Sequence, residues 1–472
     1  MNEYDIIIGL EIHAELNTAT KCFCSCANAY GSQPNSNCCP VCLAMPGALP
    51  VLNRAAVEKT IAAGLAMGCK INDLAIFERK HYFYPDLPKA YQISQLERPI
   101  CIGGGIKLKN GKTVHLNRIH LEEDAGKLLH NAVSQTSLVD LNRGGVPLIE
   151  IVTEPELTSA AEAVEFLEEV RSRLVFGNIA YCKMEQGGMR CDVNLSLKPK
   201  GSKELGKRTE MKNLNSFKMV ARAIEYEAKR QAEILNDGGK ITTETRRWDE
   251  AKGKTLSMRS KEEAQDYRYF PDPDIYPVKI TSENIKQIKD KMPPLAYELK
   301  GKFIKEFGLP EYDAIVLTKT RDSAYFYLDC VALLNEPKII SNWTMVDLAR
   351  IMNAMEIETI PVSPKHLTEI IKMVQDKTVT KTVGLQLLEE IIKKPTSPME
   401  LAKKMGLLDT VTDAQILESL ENLKKEKPNL VTDYLANKQK VLPFIIGQVM
   451  KQTRGKAKSE IVEKLISKVF HQ

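Results

Sequence analysis

Two groups of side chains have the types and spacing to do chemistry. The first is a run of thiols. KCFCSCANAYGSQPNSNCCPVC places six cysteines between Cys22 and Cys42; Cys24 and Cys26 are one residue apart, and Cys39 and Cys42 follow after twelve residues with two between them. Two close pairs across a short loop bring four thiolates around one tetrahedral zinc ion. The Asn, Ser, Gly and Pro of the loop suit a tight, metal-pinned knuckle. Cys22 and Cys38 leave the choice of four ligands open, and a set of buried or redox-active thiols is the alternative to a metal. A closed four-cysteine site is structural, so no catalytic role is expected of this zinc.

The second group is acidic. In YDIIIGLEIHAEL, Glu11, His13 and Glu15 share one face of a strand, where a carboxylate and an imidazole two residues apart can hold one hard cation. Glu150 interrupts the apolar run Val146–Val152. A charge inside such a run is costly unless it is paired or metal-bound, so a buried ion pair is the bland alternative there. HLEEDAGK offers Glu122, Glu123 and Asp124 in succession, a pattern that by itself usually marks a surface. Asp192 and Asn194 share a strand face with Arg190, and Glu210 and Lys212 follow in TEMKNLN. Magnesium takes a few carboxylates and completes its coordination with water and substrate phosphates. The set therefore suits a nucleoside triphosphate held through metal ions. The chain has no GxxxxGK[ST], no kinase signature set and no GxGxxG, and Ile102–Ile106 is a tight turn, so no P-loop is expected.

Positioning these groups calls for strands first and helices later. Ile6, Ile8, Leu10 and Ile12 alternate with Gly9, Glu11 and His13, and Cys191, Val193, Leu195 and Leu197 alternate with Arg190, Asp192 and Asn194. Period-two patterning predicts strands with one apolar face. Ser159–Leu174 and Lys218–Leu235 have helical spacing, the latter stopped by Gly238 and Gly239. After about Pro294 strand signals fade. Short amphipathic helices are predicted at His366–Val374, Val383–Ile392, Glu400–Met405 and Ala414–Leu423, and two more at Lys440–Lys451 and Lys456–Phe470. Boundaries are expected near Met292–Leu295 and near Gly406–Asp413.

The 472 residues suggest two to four domains. Eleven cysteines, an odd total with six of them clustered near one end of a large chain, argue against a secreted disulfide framework. The opening MNEYDIIIGLEIH lacks the basic-then-apolar pattern of a leader, and no run of about 18 apolar residues predicts a membrane span, so a cytoplasmic protein is expected. Net charge is +5, but Asn437–Gln472 carries eight basic residues against Glu460 and Glu463, leaving the rest close to neutral. A basic tail on a neutral body points to a polyanionic partner, with a solvated helical face as the alternative.

Eight motifs in order, GLEIH (Gly9–His13), the cysteine pairs with PVCLAMPGALPVLN, KHYFYPDLPKAYQISQ, HLEEDAGK, DLNRGGVPLIEIVTEP, KMEQGGMRCDVNLS, EMKNLNSF and DYRYFPDPD, strongly resemble the B-subunit (GatB) family of aspartyl/glutamyl-tRNA amidotransferases. SNWTM (Ser341–Met345) and IIGQVMKQTRGKA (Ile445–Ala457) resemble its later segments, so the likeness spans nearly the whole chain. The resemblance implies an α+β protein in three parts: a cradle-shaped mixed α/β catalytic domain at 1–293, an all-α helical domain at 294–406, and a small α-helical tail, similar to the YqeY family and binding tRNA, at 407–472. It implies ATP-dependent phosphorylation of the side-chain carboxylate of Glu or Asp esterified to tRNA, followed by displacement of phosphate by ammonia. Glu11, His13, Glu123 and Glu150 match its catalytic metal-nucleotide site, with Glu122, Asp192 and Glu210 as further cofactor-binding positions. Cys24, Cys26, Cys39 and Cys42 match its zinc pattern, which leaves Cys22 and Cys38 as extras. ATP, Mg²⁺ and a structural Zn²⁺ are the implied cofactors. The Gly-rich Ser/Lys pattern of amidases is missing, so ammonia is expected from an amidase A subunit, tethered by a small C subunit. Two readings from other classes stand beside this one. One is a non-catalytic RNA-binding adaptor, against which Glu150 argues; the other is a metal-dependent hydrolase working without ATP.

Overall fold

The computed structural model describes residues 3–131, 135–260, 266–408, 412–453, 457 and 459–470. The chain divides into two compact units, Met1–Leu295 and Ala296–Gln472. The strands lie in the first, and the described secondary structure of the second is helical. No helix among the described residues is long and apolar enough to cross a membrane.

The first unit is organised by a ten-stranded sheet. Its centre is built from β1 (Tyr4–Glu15), β2 (Thr113–Glu123), β3 (Pro147–Thr153), β4 (Met189–Pro199) and β5 (Thr209–Lys212), continued by β6 (Glu244–Asp249) and β7 (Lys254–Ser260). The spatial order is β7-β6-β5-β4-β1-β3-β2, closed at the far edge by short strands at Cys101–Ile102 and Lys70–Ile71. Among these seven, only β5 and β6 run parallel; β1 lies antiparallel between β3 and β4. The predicted alternation decides which face is dry. Ile8, Leu10 and Ile12 of β1, Cys191, Val193 and Leu195 of β4, Ile149 and Ile151 of β3, and Ile119 and Leu121 of β2 are buried in one core.

Helices α1 (Arg54–Ala66), α2 (Ala160–Phe176) and α3 (Phe217–Asn236) contribute to that core through Ile61, Phe166, Leu167, Val170, Val220 and Ile224. Each begins at a side-chain cap, Asn53, Ser159 or Ser216, whose oxygen accepts an otherwise orphaned backbone N–H. Gly238, at φ +74°, supplies the left-handed residue that ends α3. The residue pattern therefore predicts α2 and α3 closely. It does not anticipate the helix at Ser282–Lys291, whose face is mostly polar.

A smaller three-stranded sheet joins Glu78–His81 to Tyr91–Ser94 and to Phe270–Pro271. It brings KHYFYPD and DYRYFPDPD, far apart in sequence, side by side. Arg79 fastens them: its guanidinium pairs with Asp272 at 2.9 Å and Asp274 at 2.7 Å and lies over the Tyr91 ring.

In the second unit the four short amphipathic helices appear at Pro364–Gln375, Lys381–Lys393, Pro398–Lys404 and Asp413–Glu426. The last stretch holds Lys438–Gln452 and Ser459–Phe470, as the stripes predict, and one helix more, Asn429–Ala436, between Pro428 and Asn437. These helices enclose a core of their own, with Ile416, Leu420, Tyr434, Ile445, Val449, Ile466 and Phe470 at its centre. Lys438, Lys440, Lys451, Lys464 and Lys468 are exposed. Arg454, Lys456 and Lys458, counted in the basic tail, lie outside the described residues.

Candidate active site

The face of the central sheet that turns away from the apolar core carries the acidic group. Antiparallel register sets Arg190, His13, Glu150 and His120 side by side on β4, β1, β3 and β2. Side chains alternate along each strand, so Glu11 with its partner Asp192, and Glu122 two residues beyond His120, join the same face. The His13 Nε2 lies 3.3 Å from Glu150, 3.7 Å from Glu122 and 3.9 Å from Glu11. Glu122 and Glu150 are buried, while Glu11 is about a third exposed at the rim.

Glu123 is not brought to this group. As the neighbour of Glu122 on β2 it must face the other way. Its carboxylate pairs with Lys89 and accepts the Ile93 N–H at 3.0 Å. Asp124, the third acid of HLEED, pairs with Arg190 and Arg143. All three acids are buried, against the surface pattern that a run of acids suggests. Asp192 and Glu210 form an adjoining patch around Lys212, which lies 3.0 Å from Glu210 and pairs with Asp192.

The sequence reading does not single out His120, although His120-x-Glu122 mirrors Glu11-x-His13. It is 3% exposed, with Nε2 3.4 Å from Glu122 and 3.8 Å from Glu150. The Arg118 Nε donates to its Nδ1 at 3.3 Å. A nitrogen that accepts a hydrogen bond leaves the other nitrogen to carry the ring proton. His120 thus donates toward Glu122 and Glu150 and orients their oxygens, a positioning residue beside the carboxylates. Ser94 Oγ donates to Glu122 at 3.1 Å and fixes it from the other side. Lys80 carries no signal in its residue type alone; burial opposes its charge, yet the fields of Glu122 and Glu150 raise its pKa.

Electrostatically the group is short of positive charge. Burial and the neighbouring Glu150 raise the Glu11 carboxyl. Burial opposes a charge on His13, but hydrogen bonding to Glu150 and the fields of Glu122, Glu150 and Glu11 push its pKa up to about 9. Burial also opposes a charge on Glu150, and His13, His120 and Lys80 nevertheless hold it down at about 2. A proton drawn onto His13 is doing what a cation would do better. Glu11, His13 and Glu150 offer ligand atoms within 4.8 Å of one another, and a set of carboxylates with one imidazole fits a hard divalent ion.

The thiols resolve more sharply. The Cys42 Sγ lies 3.6 Å from that of Cys24 and 3.8 Å from those of Cys26 and Cys39. Zinc–sulfur bonds of about 2.3 Å at tetrahedral angles put sulfurs roughly 3.8 Å apart, and all four sulfurs lie within 4.8 Å of one another, a spacing that suits a zinc ion. Cys38 turns toward Asn142, and Cys22 is fully buried in the core, where desolvation raises its pKa. The Cys24 thiol beside it, helped by the Cys39 N–H and Lys21, holds Cys42 down at about 4 against its burial. The knuckle is tied to the 139–142 segment through Asn35 and Asn37, which bond to Asp140, Leu141 and Asn142.

Comparison with known proteins carries the reading further. The family profile described as the GatB/GatE catalytic domain matches residues 6–286, and the one described as the GatB domain matches 325–470. The aspartyl/glutamyl-tRNA(Asn/Gln) amidotransferase B subunit of Caldicellulosiruptor saccharolyticus is 50% identical over 98% of this chain and 98% of its own. The corresponding protein of Caldicellulosiruptor bescii is 49% identical over the same shares, and that of Persephonella marina 45% identical over 99% of this chain and all of its own. The chain belongs to the amidotransferase B-subunit family. The first matched region holds the whole acidic face and the cysteine knuckle. The second crosses from the helical segment into the tail.

Proposed function

We propose that this chain is the synthetase half of a tRNA-dependent amidotransferase. It activates the side-chain carboxylate of Glu on tRNA(Gln), of Asp on tRNA(Asn), or of both, using ATP, and then directs its amidation. The observation that carries the reading is the Glu11–His13–Glu122–Glu150 group: three acids, two of them buried, converging on one face of a sheet in a chain that has no P-loop. An RNA-binding adaptor has no use for such a cluster.

A carboxylate does not form an amide with ammonia at useful rates, because an oxide leaving group is poor. Transfer of the γ-phosphoryl group of ATP to a carboxylate oxygen supplies a better one. Ammonia then forms the C–N bond, phosphate departs with the C–O bonding pair, and a proton leaves nitrogen. Phosphoryl transfer asks a protein mainly for positioning and charge stabilisation. Glu11, Glu122, Glu150 and His13 would hold magnesium, which when bound neutralises charge building on phosphoryl oxygens. His120, Arg118 and Ser94 keep the buried carboxylate oxygens aimed at that site. Lys80, Lys212 and Arg190 border the acids with the positive charge that a polyphosphate requires. Cys24, Cys26, Cys39 and Cys42 would hold zinc as a structural ion.

The reading makes the chain one subunit of an assembly. An amidase A subunit would release ammonia from glutamine, a small C subunit would tether the two, and the basic tail would hold the mischarged tRNA. The deciding experiment is co-expression with such partners, followed by ATP turnover and amino-acid analysis with mischarged Glu-tRNA(Gln) and Asp-tRNA(Asn). Amide formation that requires both ATP and ammonia or glutamine is expected. Tight tRNA binding with no ATP turnover would return the adaptor reading.

A further inference from the structure

Lys21 is among the largest fully buried side chains, with no measurable exposure. A lysine head group removed from water needs a negative partner, and leaving it without one is strongly destabilising. No carboxylate among the described residues pairs with it. Glu123 comes near its stem across Gly145, but that carboxylate is engaged by Lys89 and the Ile93 N–H. The Lys21 Nζ instead donates to the Cys42 Sγ at 3.4 Å and to the Leu141 carbonyl at 3.2 Å. Its backbone is fixed as well: the N–H donates to the Cys26 carbonyl, and its own carbonyl accepts from Asn53, the cap of α1.

We propose that Lys21 is the internal counter-cation of a zinc site formed by Cys24, Cys26, Cys39 and Cys42. This rests on the zinc reading above. Four thiolates around a dication carry roughly two units of negative charge. The buried amine supplies one compensating charge through the thiolate it touches, Cys42. Neither half is comfortable alone: without the Cys42 thiolate Lys21 is left uncompensated, and an uncompensated tetrathiolate is a stronger nucleophile and a weaker holder of its ion. Through Leu141 the same head group also fastens the metal knuckle to the 139–142 segment, next to the Asn35 and Asn37 contacts.

The test is zinc transfer from the full-length chain to a chromophoric chelator. Reduced, freshly prepared unaltered chain should carry about one zinc; a zinc-free chain would remove the zinc reading itself and this proposal with it. In a zinc-replete background, Lys21→Met keeps the stem and removes the charge. It should release zinc about tenfold faster or more, the usual scale for a residue that supports metal ligands, while Lys21→Arg stays close to the unaltered rate. Charge is separated from packing by a double-mutant cycle with Cys39→His, which lowers the ligand charge by one unit. The Lys21→Met effect should shrink in that background. Zinc release from Lys21→Met at the unaltered rate overturns the proposal, as does an equal effect in both backgrounds. Should Lys21→Met fail to fold, the unaltered chain decides by amine acylation and peptide mass spectrometry. Lys21 should be inert with zinc bound and modified after chelation; equal modification in both states overturns the proposal.

Discussion

At the scale of single residues, the acidic face separates the proposed ligands from their supports. Glu150 is conspicuous in the sequence because a charge in an apolar strand demands an explanation. His120 is not, because a histidine beside two acids looks like surface until the register places it opposite Glu150. Glu122 and Glu123 show the same limit. Alternation says that only one of two adjacent strand residues can face Glu150. Only the pairing of β2 with β3 says which, and it selects Glu122. These differences lead to contrasting outcomes. Glu150→Gln keeps the volume and removes a charge at the centre of the group; ATP-dependent activation should fall about 100-fold or more, and added magnesium should not restore it. His120→Gln loses only an orienting donor. Half-maximal activity should then need about 10- to 100-fold more magnesium, with turnover largely recovered at saturation. Magnesium titrations of both variants in the assembled enzyme check this, and a Glu150→Gln protein with normal turnover would make Glu150 a structural residue. At the knuckle, Cys22→Ser and Cys38→Ser should each retain about one zinc by elemental analysis, because neither sulfur lies among the four that converge; loss of zinc from either would show that the wrong four were chosen.

At the scale of elements, β1 and β4 are legible because each buries one face only, and α2 and α3 because their caps and stops are spelled out in sequence. β3 is less so: it is buried on both faces, and its apolar run does not reveal which way Glu150 points. The small sheet is not legible, since its strands are short and one of them, Phe270–Pro271, comes from nearly 200 positions away. Asp272 has no exposed side-chain surface, and Arg79 is the cation that meets it. Arg79→Met would leave that carboxylate buried without its partner, at a cost of about 3–5 kcal/mol. The first unit should therefore unfold at lower temperature or denaturant concentration. Arg79→Met combined with Asp272→Asn should recover part of the loss, because the stranded charge is gone. Calorimetry of the single and double variants reads both effects, and equal stability of the two would locate the cost in packing over Tyr91 rather than in charge.

At the scale of the whole molecule, the chemistry-bearing residues all precede Leu295, whereas the excess of positive charge follows Asn437. The tail helices close around a core drawn from Ile416 onward, so a cut ahead of that point removes an intact core and leaves none exposed in half. Leu407 is buried and its N–H bonds back to Ala402, which makes Leu408 a better end than Gly406. Lys438, Lys440, Lys451, Lys464 and Lys468 all point to solvent, and the apolar stripe of the final helix faces inward. Such a module has lysines available to phosphates and, among the described residues, no cluster of His, Cys, Asp and Glu that could hold a metal ion. Contacts of this kind release counterions, so their loss weakens binding and also flattens its dependence on salt. A chain ending at Leu408, assembled with its partner subunits, should bind mischarged tRNA less tightly at low salt and show a shallower slope of log affinity against log salt. KM for tRNA should rise more than turnover at saturation falls. Zinc content and magnesium-dependent nucleotide binding should stay at the level of the intact chain, since every ligand named for them lies in the first unit. Filter binding across a salt titration is the deciding measurement: equal affinity and equal slope for the two proteins would make the basic tail a solvated surface and place tRNA recognition elsewhere in the assembly.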